Sequence, residues 1–532
     1  MIETSARRLA VILAVLGLAG GLGLAAVLPW GAGLTHDSAF YVAAARNLLG
    51  GRGLSVSFDP RQFLPLTHYP PLYPAVLAGV GLSGIDPVDG ARWLGAVLFA
   101  ANVVMTGTLA YLASHSIGAA ASTALLFMSA PPMALVHTMA WSEPLFIACE
   151  ISALLFLACY LKEPHVKLLV AAAVAAALAW LARYAGVALV ATGALAIAWH
   201  RHGSWKKSLI RAAVFALLGC LPMAAWQMRN YLVGGTTTNR ILMFHPPTRA
   251  SLSVGFDAIA GWFFPTVGSL RPALLIFLMF ICAYAFLAWR SSATGLESDH
   301  RDGKVDSLAF LWIGSYLAVL LLSVAFFDAG IPFDSRILAP LYPPLLVLGT
   351  DPWTGLPASS DKGRRLRIVG VVLAAIIFCS QIAGTKSSLG LGYHEGIGYA
   401  SRAWRGSPLA RRLTDMRRAP VFTNAPDAVY LVTALPASGI PAKVDPHTNL
   451  PNASYPAELE AFRVRLETES GTLAYFNTIW SRWNLPSEAE LTELLDLRVL
   501  AREADGVIYE ARKNGKIQSY AAGEKTGQQT SR

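Results

Sequence analysis

Charge is scarce in this sequence. Only 14% of its 532 residues are Asp, Glu, Lys or Arg, while 54% are hydrophobic, far from the roughly one-quarter charged residues of an average soluble domain. Familiar cofactor spacings are missing as well: there is no zinc-ligand pattern, no glycine-rich dinucleotide fingerprint and no P-loop. Cysteines number five. Cys149, Cys159, Cys220, Cys282 and Cys379 all lie inside apolar runs, so they read as small buried hydrophobes rather than as disulfide partners or metal ligands. No internal repeat is visible. The net charge of +10 does not point to nucleic acid, because the Lys and Arg residues gather in short loops between apolar blocks.

Those blocks are what the sequence has in abundance. Each runs for roughly 17–23 residues with few charges, enough to cross about 30 Å of hydrocarbon at about 1.5 Å per residue. Candidate spans cover residues 9–30, 92–113, 117–136, 143–161, 166–182, 184–199, 211–228, 272–289, 308–327, 337–349 and 368–384. The expected fold is therefore an α-helical polytopic membrane protein with about eleven transmembrane helices, or twelve if "YPPLYPAVLAGVGLSG" (69–84) also crosses. Its clustered prolines favour an interfacial or re-entrant helix instead. The basic start and apolar core of residues 1–30 resemble a signal peptide, but the core is too long and no small-residue cleavage site follows, so it is taken as the first span.

Orientation follows from the basic residues. With a cytoplasmic N-terminus, one side collects Lys162 and Lys167, then Arg201, Lys206, Lys207 and Arg211, then Arg290, Arg301 and Lys304, then Lys362, Arg364, Arg365 and Arg367. Arg46, Arg52, Arg61 and Arg92 are exceptions on the other side. Eleven crossings leave the C-terminus outside. The expected organisation is a membrane domain over 1–384 with a long first outer loop (31–91), an extracytoplasmic α/β domain over 385–515, and a disordered tail over 516–532. In the second domain "APVFTNAP" and "TLAYFNTIW" have strand length, "PSEAELTELLDL" has helix-start chemistry, and "RVLAREADGVIYEAR" reads as a hairpin turning at Asp505-Gly506.

Ionisable residues gather at one border of the membrane domain. Asp37 follows the first span in "HDSAFYVAAARNLLGGRG", His68 and Tyr69 lie in "HYPPLYPAVLA", Glu143 in "SEPLF", Arg183 and Tyr184 in "ARYAGVAL", and Arg336 in "SRILAPLYPPLL". Each has a structural reading. Asp37 suits a helix cap and Glu143, beside Pro144, a first helical turn. Arg183 and Arg336 suit interfacial anchors, and His68 an ordinary loop histidine. Their shared side favours a joint role, because charges at a membrane border face a cavity or one another. A carboxylate there serves as a general base, and arginines as bidentate phosphate ligands.

In order and text these pieces resemble the GT-C superfamily of polytopic glycosyltransferases, nearest the group of protein O-mannosyltransferases and lipid A aminoarabinose transferases. The matching pieces run from residue 37 to about 345. The resemblance implies transfer of a sugar from a polyprenyl-phosphate donor to an acceptor hydroxyl on the extracytoplasmic face, with inversion. It implies Asp37 as catalytic base, Glu143 as the second catalytic acid residue, and Arg183, Tyr184, Arg336, His68 and Tyr69 at the lipid-phosphate donor. Many relatives carry paired acids in the first loop, some with a divalent metal. Here His36 and Ser38 flank Asp37, and the metal question stays open, with Asp37, His68 and Glu143 as the residues that would have to converge. The implied partners are the lipid-linked donor, the bilayer and an acceptor that is a protein, a glycolipid or a polysaccharide, in a multi-pass prokaryotic inner or plasma membrane protein. A secondary transporter and a non-catalytic polytopic scaffold remain the alternatives.

Overall fold

The computed structural model describes residues 2–58, 63–200, 203–240, 242–293, 303–355, 361–416, 420–446, 448–479 and 482–512. The tail expected to be disordered, and Arg61, Arg201 and Arg301, lie outside these. The chain forms two compact units, Met1–Arg405 with His447–Asn449, and Gly406–Pro446 with Leu450–Arg532.

The first unit is helical. It comprises α1 (Ile2–Ala26), α2 (His36–Leu49), α3 (Leu72–Gly81), α4 (Pro87–Ser114), α5 (Ile117–Ser129), α6 (Pro131–Thr138), α7 (Glu143–Lys162) and α8 (Val166–Ala182), then α9 (Val187–Trp199), α10 (Trp205–Gly234), α11 (Arg249–Phe263) and α12 (Arg271–Ala293). The unit continues with α13 (Lys304–Phe326), α14 (Ser335–Leu338), α15 (Tyr342–Gly355), α16 (Asp361–Glu395) and α17 (Arg402–Arg405). A two-stranded ribbon, β1 (Ser55–Val56) and β2 (Leu64–Pro65), decorates the loop between α2 and α3. Helices α1, α4, α7, α10, α13 and α16 are long and apolar enough to span a bilayer. The pair α5–α6, bent by 58°, and α11 with the start of α12, bent by 105°, bring the number among the described residues to as many as eight if each bent pair is one span. Helix α8, at 17 residues, rises only about 26 Å, and α3 at 10 residues about 15 Å.

Outward faces of these helices are greasy: Leu18 is 62% exposed, Leu217 65% and Val371 70%. Water would penalise such surfaces, whereas lipid tails do not. The same setting corrects the reading of the cysteines as buried. Cys379 is exposed on α16, and Cys149, Cys159 and Cys220 are half-buried free thiols, because a helix face turned to hydrocarbon needs no protein cover. The interior is dominated by Ala, Leu and aromatic side chains; α7 packs against α4 and α8, and α1 against α4. Two of the outer arginines that broke the charge bias are tied down. Arg46 forms a forked pair with Asp86, the cap of α4, and Arg92 donates to Ala25 O at 2.6 Å.

The second unit holds α18 (Pro408–Met416), β3 (Val421–Thr423), α19 (Pro426–Thr433), β4 (Ser438–Gly439), α20 (Tyr455–Thr468), β5 (Thr472–Phe476), α21 (Glu488–Leu494), β6 (Leu497–Glu503) and β7 (Gly506–Ala511). Its sheet runs β4-β3-β5-β7-β6, with β3 parallel to β4 and β5, and β7 antiparallel to β5 and β6. The hairpin signal at Asp505-Gly506 matches the β6–β7 turn. A Cβ at Gly506 would sit 2.2 Å from Tyr475 O, so only glycine fits there. Helix α21 begins with a reciprocal Ser487–Glu490 capping box, as its sequence suggested. Phe422, Phe462, Leu466, Leu473, Val507 and Tyr509 build the core between sheet and helices. Asp427 is fully buried and accepts from Arg482 at 2.6 and 2.7 Å.

Candidate active site

Four short segments of the first unit supply the site, and each is shaped by local chemistry. Thr35 precedes α2, and its N–H donates to Ser38 Oγ at 3.0 Å. The cap therefore does not use Asp37, whose carboxylate is left for tertiary partners. Glu143 is the first residue of α7, with Pro144 behind it, where the helix dipole favours a negative charge. Arg183 ends α8 in extended conformation. The turn that follows closes on Gly186, where a Cβ would lie 2.4 Å from Trp180 Cα and N. Arg336 sits on the single turn of α14, capped by Asp334 Oδ1, which accepts from the N–H groups of Arg336 and Ile337 at 3.0 and 2.9 Å.

Three indole or phenol donors pin that turn from outside. Tyr316 donates to Ile337 O at 2.6 Å, Trp312 Nε1 to Pro340 O at 3.4 Å, and Trp262 Nε1 to Ser335 Oγ at 3.2 Å. All three side chains are buried.

These segments bring two acids and two guanidinium groups together. Asp37 Oδ2 accepts from Arg336 Nη2 at 2.6 Å, and Oδ1 from the Tyr69 hydroxyl at 2.7 Å. Glu143 Oε1 forms an ion pair with Arg183 Nη1 at 2.6 Å and accepts from Arg336 Nε. Arg336 thus bridges both carboxylates, and its guanidinium carbon lies 3.9 Å above the Trp141 ring. Glu143 is fully buried, with Arg183 and Arg336 17% and 19% exposed. Two negative and two positive charges balance, which makes their burial tolerable. Glu143 Oε2 has no hydrogen-bond partner among the described residues.

Burial pushes the Asp37 carboxyl up. The Arg336 guanidinium, the Tyr69 hydroxyl and His36 outweigh that and hold it down at about 2. Burial, then the Asp37 charge, push the Tyr69 hydroxyl well above its ordinary range, so it remains a donor to the carboxylate.

Of the residues singled out by sequence, Asp37, Glu143, Arg183, Arg336 and Tyr69 meet in one cluster. His68 packs its ring edge-on to Tyr69 with centroids 4.7 Å apart. Tyr184 lies apart from the acids: its hydroxyl donates to Thr67 O at 3.3 Å, and Arg240 covers its ring at 5.8 Å. No group of three or more His, Cys, Asp or Glu side chains suited to a metal occurs among the described residues, and Asp37, His68 and Glu143 do not gather as one. Sequence reasoning missed Ser142, which receives Arg183 Nη1 at 3.2 Å and faces the Tyr41 hydroxyl at 3.3 Å. It also missed Trp141, although both adjoin Glu143 in "AWSEP". Tyr41, four residues after Asp37, shared a helix face with it. Arg229, which donates to Leu54 O and Leu66 O and so braces the first loop, gave no signal.

No protein-family model and no curated protein sequence matches this chain. Solved structures do. ArnT from Cupriavidus metallidurans bound to undecaprenyl phosphate aligns with a TM-score of 0.58 at 14% identity, over 93% of this chain and 97% of that one. The fold is the GT-C fold. Two further glycosyltransferases agree. The Archaeoglobus fulgidus oligosaccharyltransferase AglB, in complex with an inhibitory peptide and a dolichol-phosphate, aligns with a TM-score of 0.50 at 13% identity, over 88% of this chain and 69% of that one. Arabinofuranosyltransferase AftD from Mycobacteria aligns at 0.53 and 14% identity, over 96% of this chain but 40% of its own. In this chain the acids and guanidinium groups stand at helix ends, and the apolar helices make it an integral, multi-pass membrane protein.

Proposed function

We propose that the protein is a glycosyltransferase that moves a sugar from a polyprenyl-phosphate donor to an acceptor hydroxyl on the extracytoplasmic face. The observation that carries this reading is the Asp37–Arg336–Glu143–Arg183 cluster, standing in a fold shared with a protein bound to undecaprenyl phosphate. The one-sided distribution of Lys and Arg along the sequence supports the orientation, and the eleven-span topology belongs to the same proposal.

Without substrate the acids and arginines neutralise one another. A lipid phosphate entering the cluster competes for the guanidinium groups, for which a bidentate phosphate is a natural ligand. As Arg336 turns to the phosphate, Asp37 loses the charge that holds its carboxyl low and becomes a stronger base. Asp37 then takes the acceptor's hydroxyl proton while the acceptor oxygen bonds to the anomeric carbon. The bond from that carbon to the phosphate oxygen breaks, and the electron pair leaves with the lipid phosphate, held by Arg183 and Arg336. A single displacement inverts the anomeric centre. Glu143 keeps both arginines in place, and Tyr69 keeps the Asp37 carboxylate aimed.

The test is transfer of a labelled sugar from a polyprenyl-phosphate donor by purified protein and by its Asp37→Asn variant. Loss of a general base is expected to lower the rate by about 10²–10⁴, with undecaprenyl phosphate still bound. Equal rates for the two proteins would remove Asp37 from the base role.

A further inference from the structure

A cavity of about 400 Å³ lies on the other side of the turn that carries Arg336. Its walls come from α6, α11, α14, α16 and the first residue of α12, and they are mostly apolar, with polar groups at a few points: Thr138, Asp257, Arg271, Asp334 and Ser388. That size and lining suit a small organic ligand. The cavity shares structure with the active site: Asp334 and Ser335 lead directly into Arg336, and Thr138 stands three residues before Trp141, whose ring lies under the guanidinium.

The charges say what it does not hold. Two carboxylates face one guanidinium, and Arg271 is already engaged, with Nε donating to Gly268 O at 3.0 Å and lying 3.9 Å from Asp257 Oδ1. Asp334 spends only Oδ1 on its cap, and Oδ2 has no partner among the described residues. A phosphate placed here would meet net negative charge, so the carrier lipid's head belongs with Arg183 and Arg336. Carboxylates are instead strong acceptors for sugar hydroxyl groups, and Asp257, with its side chain half exposed, is open to one.

We infer that this cavity, lined by Asp257, Arg271 and Asp334, seats a phosphate-free saccharide unit of the acceptor. The inference deepens the proposed transferase reading and rests on it for the word acceptor.

Binding is read without catalysis, by saturation-transfer NMR on the purified full chain with methyl glucoside and methyl glucosaminide as probes. Two variants outside the acid–arginine cluster are compared with wild type: Ala258→Trp, which fills the cavity, and the conservative Asp257→Asn on an exposed side chain. Native mass spectrometry with undecaprenyl phosphate checks that each variant is folded. Wild type is expected to bind at least one probe, with the signal reduced at least fivefold in Ala258→Trp and at least twofold in Asp257→Asn, and carrier-lipid binding unchanged. Absence of probe binding to wild type, or equal signals in all three proteins, overturns the inference. So does displacement of the probes by undecaprenyl phosphate or by undecaprenyl-phosphoryl-glucose, which would give the cavity to the donor. A wild type that binds the probes here yet transfers no sugar upholds the cavity and sinks the reaction.

Discussion

Replacing Glu143 with Gln separates two effects that the cluster combines. Glu143 Oε1 holds Arg183 Nη1 at 2.6 Å and also Arg336 Nε, and the side chain is fully buried. A phosphate bound on the far side of those guanidinium groups would lie roughly 7 Å from the carboxylate, and at an effective dielectric constant of about 20 two unit charges that far apart repel by about 2 kcal/mol. Gln keeps the size and an acceptor oxygen but removes this repulsion, so undecaprenyl phosphate is expected to bind on the order of 30-fold more tightly. Folding stability moves the other way. Two buried guanidinium groups would then share one carboxylate, at a cost of about 3–5 kcal/mol. Turnover is expected to fall, because arginines no longer anchored at Glu143 stabilise the departing phosphate less well and release it more slowly. The assay is carrier-lipid titration of wild type and Glu143→Gln in nanodiscs, with thermal unfolding measured on the same samples. Affinity unchanged within threefold, or weaker, in a folded variant would refute the idea that the acids and the phosphate compete for the same cations.

Tyr69→Phe removes one of the bonds holding the Asp37 carboxyl at about 2 rather than its ordinary 3.8. In wild type, the stability this carboxylate contributes is complete above pH 3.8 and is lost as pH falls toward about 2; in Tyr69→Phe that window, and the acid limb of kcat/KM, should move to higher pH. An unmoved limb would mean that Tyr69 does not tune the base. Tyr316→Phe deletes the 2.6 Å bond to Ile337 O, leaves a buried carbonyl short of a donor, and should cost about 1–3 kcal/mol. Transfer should fall several-fold through displacement of Arg336, read as a loss of carrier-lipid affinity that Tyr316→Trp does not reproduce in full only if its N–H reaches the same carbonyl. In the second unit, Asp427→Ala removes the buried carboxylate to which Arg482 donates and should destabilise by about 3 kcal/mol, visible by calorimetry as loss of its unfolding transition at the wild-type temperature.

Features that depend on neighbours along the chain were legible from the residues alone. Apolar blocks of membrane length marked the helices, Pro486 and Ser487 ahead of an acidic turn marked the start of α21, and Asp505-Gly506 marked the β6–β7 turn, because hydropathy, caps and turn chemistry act within a few residues. The sequence also brought Asp37, Glu143, Arg183 and Arg336 under suspicion, since a charge at a membrane border is costly wherever it has no partner. The bends of 58° and 105° within two pairs of apolar helices escaped it, because hydropathy does not reveal a change of helix direction. The partners escaped it too. Asp37 and Arg336 are 299 residues apart, Glu143 and Arg336 193, and the Tyr316, Trp312 and Trp262 donors that hold the Arg336 turn come from two other helices. Only tertiary packing decides such pairs, because burial in a low-dielectric interior makes each charge depend on the one opposite charge placed within hydrogen-bond reach.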